Sequence, residues 1–197
     1  EIATGVRRRL VGGAHYLWNA SWSPDSKHVA FIVSPTGAYD DGNLVDIGVV
    51  SVSGGPFRAL GAIGAGFTWS PDSRWIAWAS GAHRDVYVEP DELWVCGADA
   101  GSPRCLTRGF DADATTPAWN AGSDTLFFHV EHGAATQLAA VALVGGAPRV
   151  LTEVAGAASQ LTIGPDGHAV WIESRALHPD ELVMAARPGL PGTRLSA

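Results

Sequence analysis

The chain of 197 residues is long enough to bury a substantial apolar core, and 46% apolar against 17% charged residues is the composition of a globular protein. Thirteen lysines and arginines against 20 aspartates and glutamates leave a formal charge of −7, which repels a phosphate backbone and excludes nucleic acid as the expected partner. No stretch reaches the roughly 20 apolar residues that cross a bilayer, so no membrane partner is expected, and 24 glycines, 12 prolines and 8 tryptophans favour short strands and tight turns.

The first residues, Glu1-Ile2-Ala3-Thr4, are neither a basic segment nor an apolar one. The expected location is therefore cytoplasmic, or exported or periplasmic if a signal has been removed. Residues 1–13 read as the outer strand of a preceding repeat, from Val6 to Leu10, with Arg7, Arg8 and Arg9 on a solvated edge or an inter-blade salt-bridge face. Four units follow, at 14–60, 61–107, 108–152 and 153–197, each containing one pattern: SWSPDSKHVAFIV (21–33), TWSPDSRWIAWAS (68–80), AWNAGSDTLFFHV (118–130) and TIGPDGHAVWIES (162–174). A second pattern closes each unit, an apolar strand, a small turn and a short strand ending in leucine. Its copies are DIGVVSVSGGPFRAL (46–60), ELWVCGADAGSPRCLT (92–107), TQLAAVALVGGAPRVLT (136–152) and the looser ELVMAARPGLPGTRLS (181–196). The closing leucines Leu10, Leu60, Leu106, Leu151 and Leu195 are spaced by 50, 46, 45 and 44 residues, which is a structural repeat.

Each unit reads as four antiparallel strands. The first ends at Trp22, Trp69, Trp119 or Ile163, and Ser-Pro-Asp-Ser/Gly then turns the chain, proline fixing φ and aspartate bonding back to the turn backbone. In the second strand Val29, Phe31 and Val33 face one way and Ala30 and Ile32 the other, so both faces need cover. No spacer holds an amphipathic helix that could supply it, so neighbouring sheets must. Four-stranded units of this length stacked face to face are β-propeller blades; a linear β-solenoid is the rival, against which stand the hairpin turns at Gly54-Gly55 and Gly145-Gly146. The fold class is thus all-β, a propeller fragment of about four blades. An orphan outer strand beside four whole units favours an arc of a larger ring over a closed four-bladed one, with a homo-oligomer left open.

Two spacers, 34–44 and 80–91, exceed what a hairpin needs and are the expected places for contacts; Tyr39, Asp40, Asp41, Arg84, Asp85, Tyr87, Glu89 and Glu92 lie in or beside them. Cys96 and Cys105 flank the Ala100-Gly101 turn as Val50 and Ala59 flank the preceding one. Directly opposed there, they could form a disulfide in an oxidising compartment or remain core thiols in a reducing one.

The residues of hydrolytic chemistry are not assembled in the sequence. There is no Gly-x-Ser-x-Gly elbow, and Ser23 and Ser70 have a complete structural role in their turns. The histidines His15, His28, His83, His129, His132, His168 and His178 are scattered; His129 and His132 are a close pair, but their odd spacing in a strand puts them on opposite faces. Asp25, Asp72 and Asp166 recur as turn residues, and Asp111 and Asp113 read the same way. Asp40-Asp41-Gly42-Asn43 with Asp46 has a calcium-like composition without the full loop pattern. No catalytic residue, cofactor or metal ligand is assigned.

Trp22-Ser23-Pro24-Asp25-Ser26 and Trp69-Ser70-Pro71-Asp72-Ser73 resemble the Trp-Ser-Pro-Asp-Gly repeats shared by TolB propellers and the propeller domains of prolyl oligopeptidase-type serine peptidases. The tail Trp171 to Leu182, with the Leu-Thr endings at 106–107 and 151–152, is similar to the acylaminoacyl-peptidase and dipeptidyl-peptidase branches. Asn120-Ala121-Gly122-Ser123 and Gly164-Pro165-Asp166-Gly167 depart from the pattern. The resemblance implies a substrate-gating propeller in a serine exopeptidase acting on short peptides. The missing blades and the α/β-hydrolase domain with its triad would then lie in cis or on a companion chain, and this segment alone would be inactive. It also makes Glu89-Pro90-Asp91-Glu92 an acidic candidate for a substrate ammonium, though without the adjacent glutamate pair, so no role is assigned to it. The alternative is a non-enzymatic TolB-like module that binds proteins.

Overall fold

The computed structural model describes residues 5, 7–36, 44–62, 66–81, 89–99, 101–132, 135–152 and 156–195. They fall into two compact units, Glu1–Ala65 and Gly66–Ala197. Regular structure among them is all β.

In the first unit, β1 (Tyr16–Trp22), β2 (His28–Ser34), β3 (Asp46–Ser51) and β4 (Arg58–Ala59) form an antiparallel sheet in chain order. Phe31, Val33 and Val50 make its buried cluster, with Leu10, Val11, Val29 and Phe57 packed around them. Gly48 is required by that packing, since a Cβ there would lie 2.6 Å from the Phe31 ring. The segment expected as an outer strand pairs with nothing over its described part: residues 7–10 are outside any strand and Arg7, Arg8 and Arg9 are exposed. The Arg8 guanidinium reaches the Ser53 carbonyl at 3.5 Å.

In the second unit, β5 (Thr68–Trp69), β6 (Trp75–Ser80), β7 (Glu92–Gly97) and β8 (Arg104–Cys105) repeat that order. So do β9 (Asp113–Trp119), β10 (Thr125–His132), β11 (Ala135–Ala142) and β12 (Arg149–Val150), and again β13 (Ala157–Ile163), β14 (Ala169–Arg175), β15 (His178–Ala185) and β16 (Thr193–Arg194). The last eight strands share one sheet through a single parallel pairing of Thr136 with Ala157. No sheet closes on itself among the described residues.

The Ser-Pro-Asp turns have a common wiring. The Ser70 amide donates to the Trp75 carbonyl, the Trp75 amide donates to the Ser70 hydroxyl at 2.9 Å, and that hydroxyl donates to Asp72. Ser23, His28 and Asp25 repeat the arrangement. Asn120 replaces the serine by accepting the Asp124 and Thr125 amides on its side-chain oxygen. The last turn is one residue shorter, for Ile163 pairs with Ala169 where Trp119 pairs with Leu126. The Leu-Thr endings are also explained. The Leu106 amide donates to the Leu93 carbonyl while the Thr107 hydroxyl accepts the Leu93 amide at 2.9 Å, and Leu151 with Thr152 does the same on Leu138. Leu106 fills the core, and in both repeats the threonine completes the third strand's pairing.

The cysteine register corrects the expected opposition. Cys105 pairs with Trp94, two residues from Cys96, so the thiols are diagonal neighbours and no disulfide joins them. Cys96 is buried, its thiol 3.6 Å from the Gly101 carbonyl. Burial pushes the Cys105 thiol above its ordinary pKa.

The turn residues Ser26, Ser73 and Ser123 have φ of 60°, 64° and 59°, where Gly167 has 86°. That left-handed conformation crowds Cβ against the carbonyl. Ser26 is exposed. Ser26→Gly is therefore expected to raise stability by about 1 kcal/mol in urea unfolding, and Gly167→Ser to lower it by a similar amount.

Candidate functional site

The first strands of three of the repeats are interrupted at the same place. Thr115 pairs with His129 and Ala118 with Phe127, so Thr116 and Pro117 together oppose Phe128 alone. Ser159 and Thr162 pair with Ile172 and Val170, leaving Gln160 and Leu161 opposite Trp171. In the first unit Asn19 and Ala20 stand opposite Phe31 in the same way. The first bulge residue is left-handed each time: Asn19 at φ 54°, Thr116 at 47° and Gln160 at 53°. Gly66, three residues before Trp69, holds the corresponding position ahead of β5.

In the second unit these positions converge on a cleft of about 390 Å³, at the low end of the size of small-ligand pockets. Gly66, Phe67 and Thr68 form one side, Thr116 and Pro117 another, and Gln160 and Leu161 a third; Ala79 of β6 and His129 of β10 complete the wall. Thr116 and Gln160 are exposed, whereas His129 is 4% exposed. Its Nδ1 is hydrogen-bonded to the Thr116 hydroxyl, and its buried Nε2 has no hydrogen-bond partner. Burial, which penalises the cation, holds the imidazole below the ordinary histidine pKa of 6.5. Among the described residues no charged side chain lines the cleft, so these residues present apolar wall, exposed amide and hydroxyl groups, and one neutral imidazole.

Apart from His129, the residues singled out in the sequence lie elsewhere. Ser23 and Ser70 are buried and held in their turns, with Asp25 and Asp72 as partners. Burial raises the Asp72 carboxyl, but the Ser70 hydroxyl, the Arg74 amide and the Arg74 guanidinium outweigh it and bring it below its usual value. Asp166 accepts the His168 amide and faces its ring at 2.8 Å. Asp46 accepts the Ile47, Gly61 and Ala62 amides, while residues 40–43 lie outside the described residues, as do Tyr39, Arg84, Asp85, Tyr87, His83 and the His132 side chain. Asp113 accepts the Asp91 amide at 2.8 Å, and Asp111 is exposed. The Asp91 carboxyl is raised by burial and then by Asp113, Glu131 and Glu89, so the structure gathers four acids near the ends of β7, β9 and β10. Glu92 lies 3.5 Å from Arg108, which stacks 5.3 Å from the Trp94 ring. His15 meets the edge of Phe57. Among the described residues no three histidines, cysteines or carboxylates are grouped as metal ligands.

No family model matches the chain, and no curated protein matches its sequence. Solved structures do match in fold. A candidate TolB from Agrobacterium tumefaciens superposes with a TM-score of 0.65 at 15% identity over 96% of this chain and 83% of that one. A puromycin hydrolase matches 98% of this chain with a TM-score of 0.72 at 16% identity, and the acylaminoacyl peptidase of Pyrococcus horikoshii matches 91% at 0.66 and 13% identity. The chain spans 33% of the puromycin hydrolase and 27% of the acylaminoacyl peptidase. These likenesses link its all-β fold to the propeller domains of TolB and prolyl-oligopeptidase-family proteins.

The depressed pKa of His129 has a consequence for stability. The unfolded chain takes up a proton at about pH 6.5, before the folded imidazole does. The contribution of this residue is complete above about pH 6.5, is lost as pH falls through the interval down to the folded-state pKa, and levels off below it. His129→Gln is expected to flatten the pH dependence of urea unfolding below pH 6.5 relative to the parent. Thr116→Val, which strips the hydroxyl from Nδ1, is expected to cost about 1–3 kcal/mol at neutral pH.

Proposed function

We propose that the chain is the propeller portion of a prolyl-oligopeptidase-type serine exopeptidase, an arc of blades that restricts entry to an α/β-hydrolase domain outside residues 1–197. The observation that carries this reading is the fit of nearly the whole chain to one third of a puromycin hydrolase. The exposed inner strand β1 supports the arc: Trp22 is 59% exposed, whereas Trp119, at the same repeat position, is 6% exposed and donates from its indole to the Thr68 carbonyl of the sheet before it. An open blade face of this kind is completed by a further blade, in cis or on a companion chain.

In the proposed enzyme the hydrolase serine attacks the carbonyl carbon of a short peptide, its proton passing to histidine. The amine leaves with that proton and water releases the acyl group from the serine. The propeller contributes selection by size. The acylaminoacyl-peptidase or dipeptidyl-peptidase branch is our finer assignment, supported by the Leu-Thr endings and by the tight β14–β15 hairpin that places Glu181-Leu182 in β15. A cytoplasmic location goes with it, supported by the two cysteine thiols. A second reading, a TolB-like protein-binding module, is supported by the 83% of the Agrobacterium protein that the chain spans.

The test is a fluorophosphonate probe applied to the protein in its native assembled form, followed by intact mass and peptide mapping of every chain. The peptidase reading expects one labelled serine outside residues 1–197, in a polypeptide carrying about 200 further residues, the size of an additional domain. An unlabelled, folded monomer of 197 residues overturns it in favour of the binding module.

A further inference from the structure

We propose that the cleft over His129 is a binding site for an uncharged ligand carrying a carboxamide and a compact apolar body. It stands on the second unit alone and holds whichever reading of the whole protein is right.

Charge is the first discriminator. None of the described lining side chains is charged, so an ionic ligand would leave water without a counter-charge among them to meet. The second is the hydrogen bond His129 lacks. A buried polar atom without a partner carries the cost of its lost hydration, and a ligand that reaches Nε2 through a small shift of the cleft wall and supplies the partner removes that cost. The Thr116 hydroxyl can either donate to Nδ1 or accept from it, which leaves Nε2 a donor or an acceptor accordingly. A carboxamide, which does both, satisfies either tautomer, and the exposed Gln160 amide at the rim can pair with its other edge. The apolar body then lies among Phe67, Pro117 and Leu161, and 390 Å³ accommodates a group of one or two residues' size. Such a carboxamide could come from a peptide backbone or from a free primary amide.

The experiment is titration of the full chain, with its histidines isotope-labelled, with N-acetyl-leucinamide, isovaleramide and isovalerate, followed by NMR. The proposal expects saturable binding of N-acetyl-leucinamide at about 1 mM or tighter, as suits so small a ligand, with movement of the His129 ring resonances. It expects at least tenfold weaker binding in His129→Phe and no binding of isovalerate. Equal binding of isovaleramide identifies the free amide as the recognised unit; its failure identifies a peptide segment, and either result upholds the site. If His129→Phe does not fold, Gln160→Gly, which suits the left-handed backbone there, must weaken binding instead. Lack of saturation by both amides at about ten times that concentration, binding indifferent to these substitutions, or equal binding of isovalerate overturns the proposal.

Discussion

The second strand of each repeat carries large side chains on both faces, and in an antiparallel sheet without helices only another sheet can cover them. In the second unit Leu126, Phe128 and Val130 of β10 are sealed against Ala77 of β6 and Leu93 and Val95 of β7. On the other side, Leu138 of β11 is buried with Ala158, Ala169, Trp171 and Val183. At about 1.5–3 kcal/mol for each such side chain removed from water, no four-stranded sheet of the second unit is stable without its neighbours. Stacking is therefore a condition of folding, and the small turns and short outer strands follow from the need to keep each layer thin.

The same requirement accounts for the interrupted inner strands. Phe31, Phe128 and Trp171 are the residues faced by two bulge residues instead of one, and Trp78 follows Ala77, the partner of Thr68, in the corresponding place. A bulge adds local twist and bends the strand, which locally disrupts the ladder. The left-handed residue that achieves this is costly for Asn19, Thr116 and Gln160, none of them glycine. The cleft arises where two such positions, Thr116 and Gln160, meet the chain at Gly66 that enters β5, so it is a product of the repeat as much as of any one residue.

Much of the fold could be read from the chain because the repeat ties each feature to a local cause. Trp22, Trp69 and Trp119 end inner strands, the serine and aspartate turns wire themselves within six residues, and Leu106-Thr107 bonds to a single partner, Leu93. The thiol register was not legible, because the loop before β8 sets Cys105 against Trp94 rather than Cys96, an offset that depends on turn geometry and not on side-chain alternation. The cleft was hidden for a different reason. Along its own strand His129 stands out only as a neighbour of His132, and what sets it apart shows between repeats. Where β2 and β6 have Ile32 and Ala79, β10 has His129, a titratable ring in an otherwise apolar column.

That substitution also bears on how the molecule combines rigidity with recognition. Ile32 and Ala79 at this position need nothing beyond apolar cover, being paired with Ile47 and Leu93. An imidazole in the same place brings two nitrogens into a dry environment, and only Thr116, itself held in a left-handed backbone by the bulge, supplies a partner to one of them. Removing the ring would improve the core, since Phe or Leu there would bury apolar surface with no unsatisfied atom. A polar group kept at that cost, with its surroundings otherwise packed, concentrates the hydrogen-bonding capacity of the cleft at one fixed point. Selectivity between an amide and an ion then follows from the wall itself, because a buried neutral ring offers a hydrogen bond but no charge.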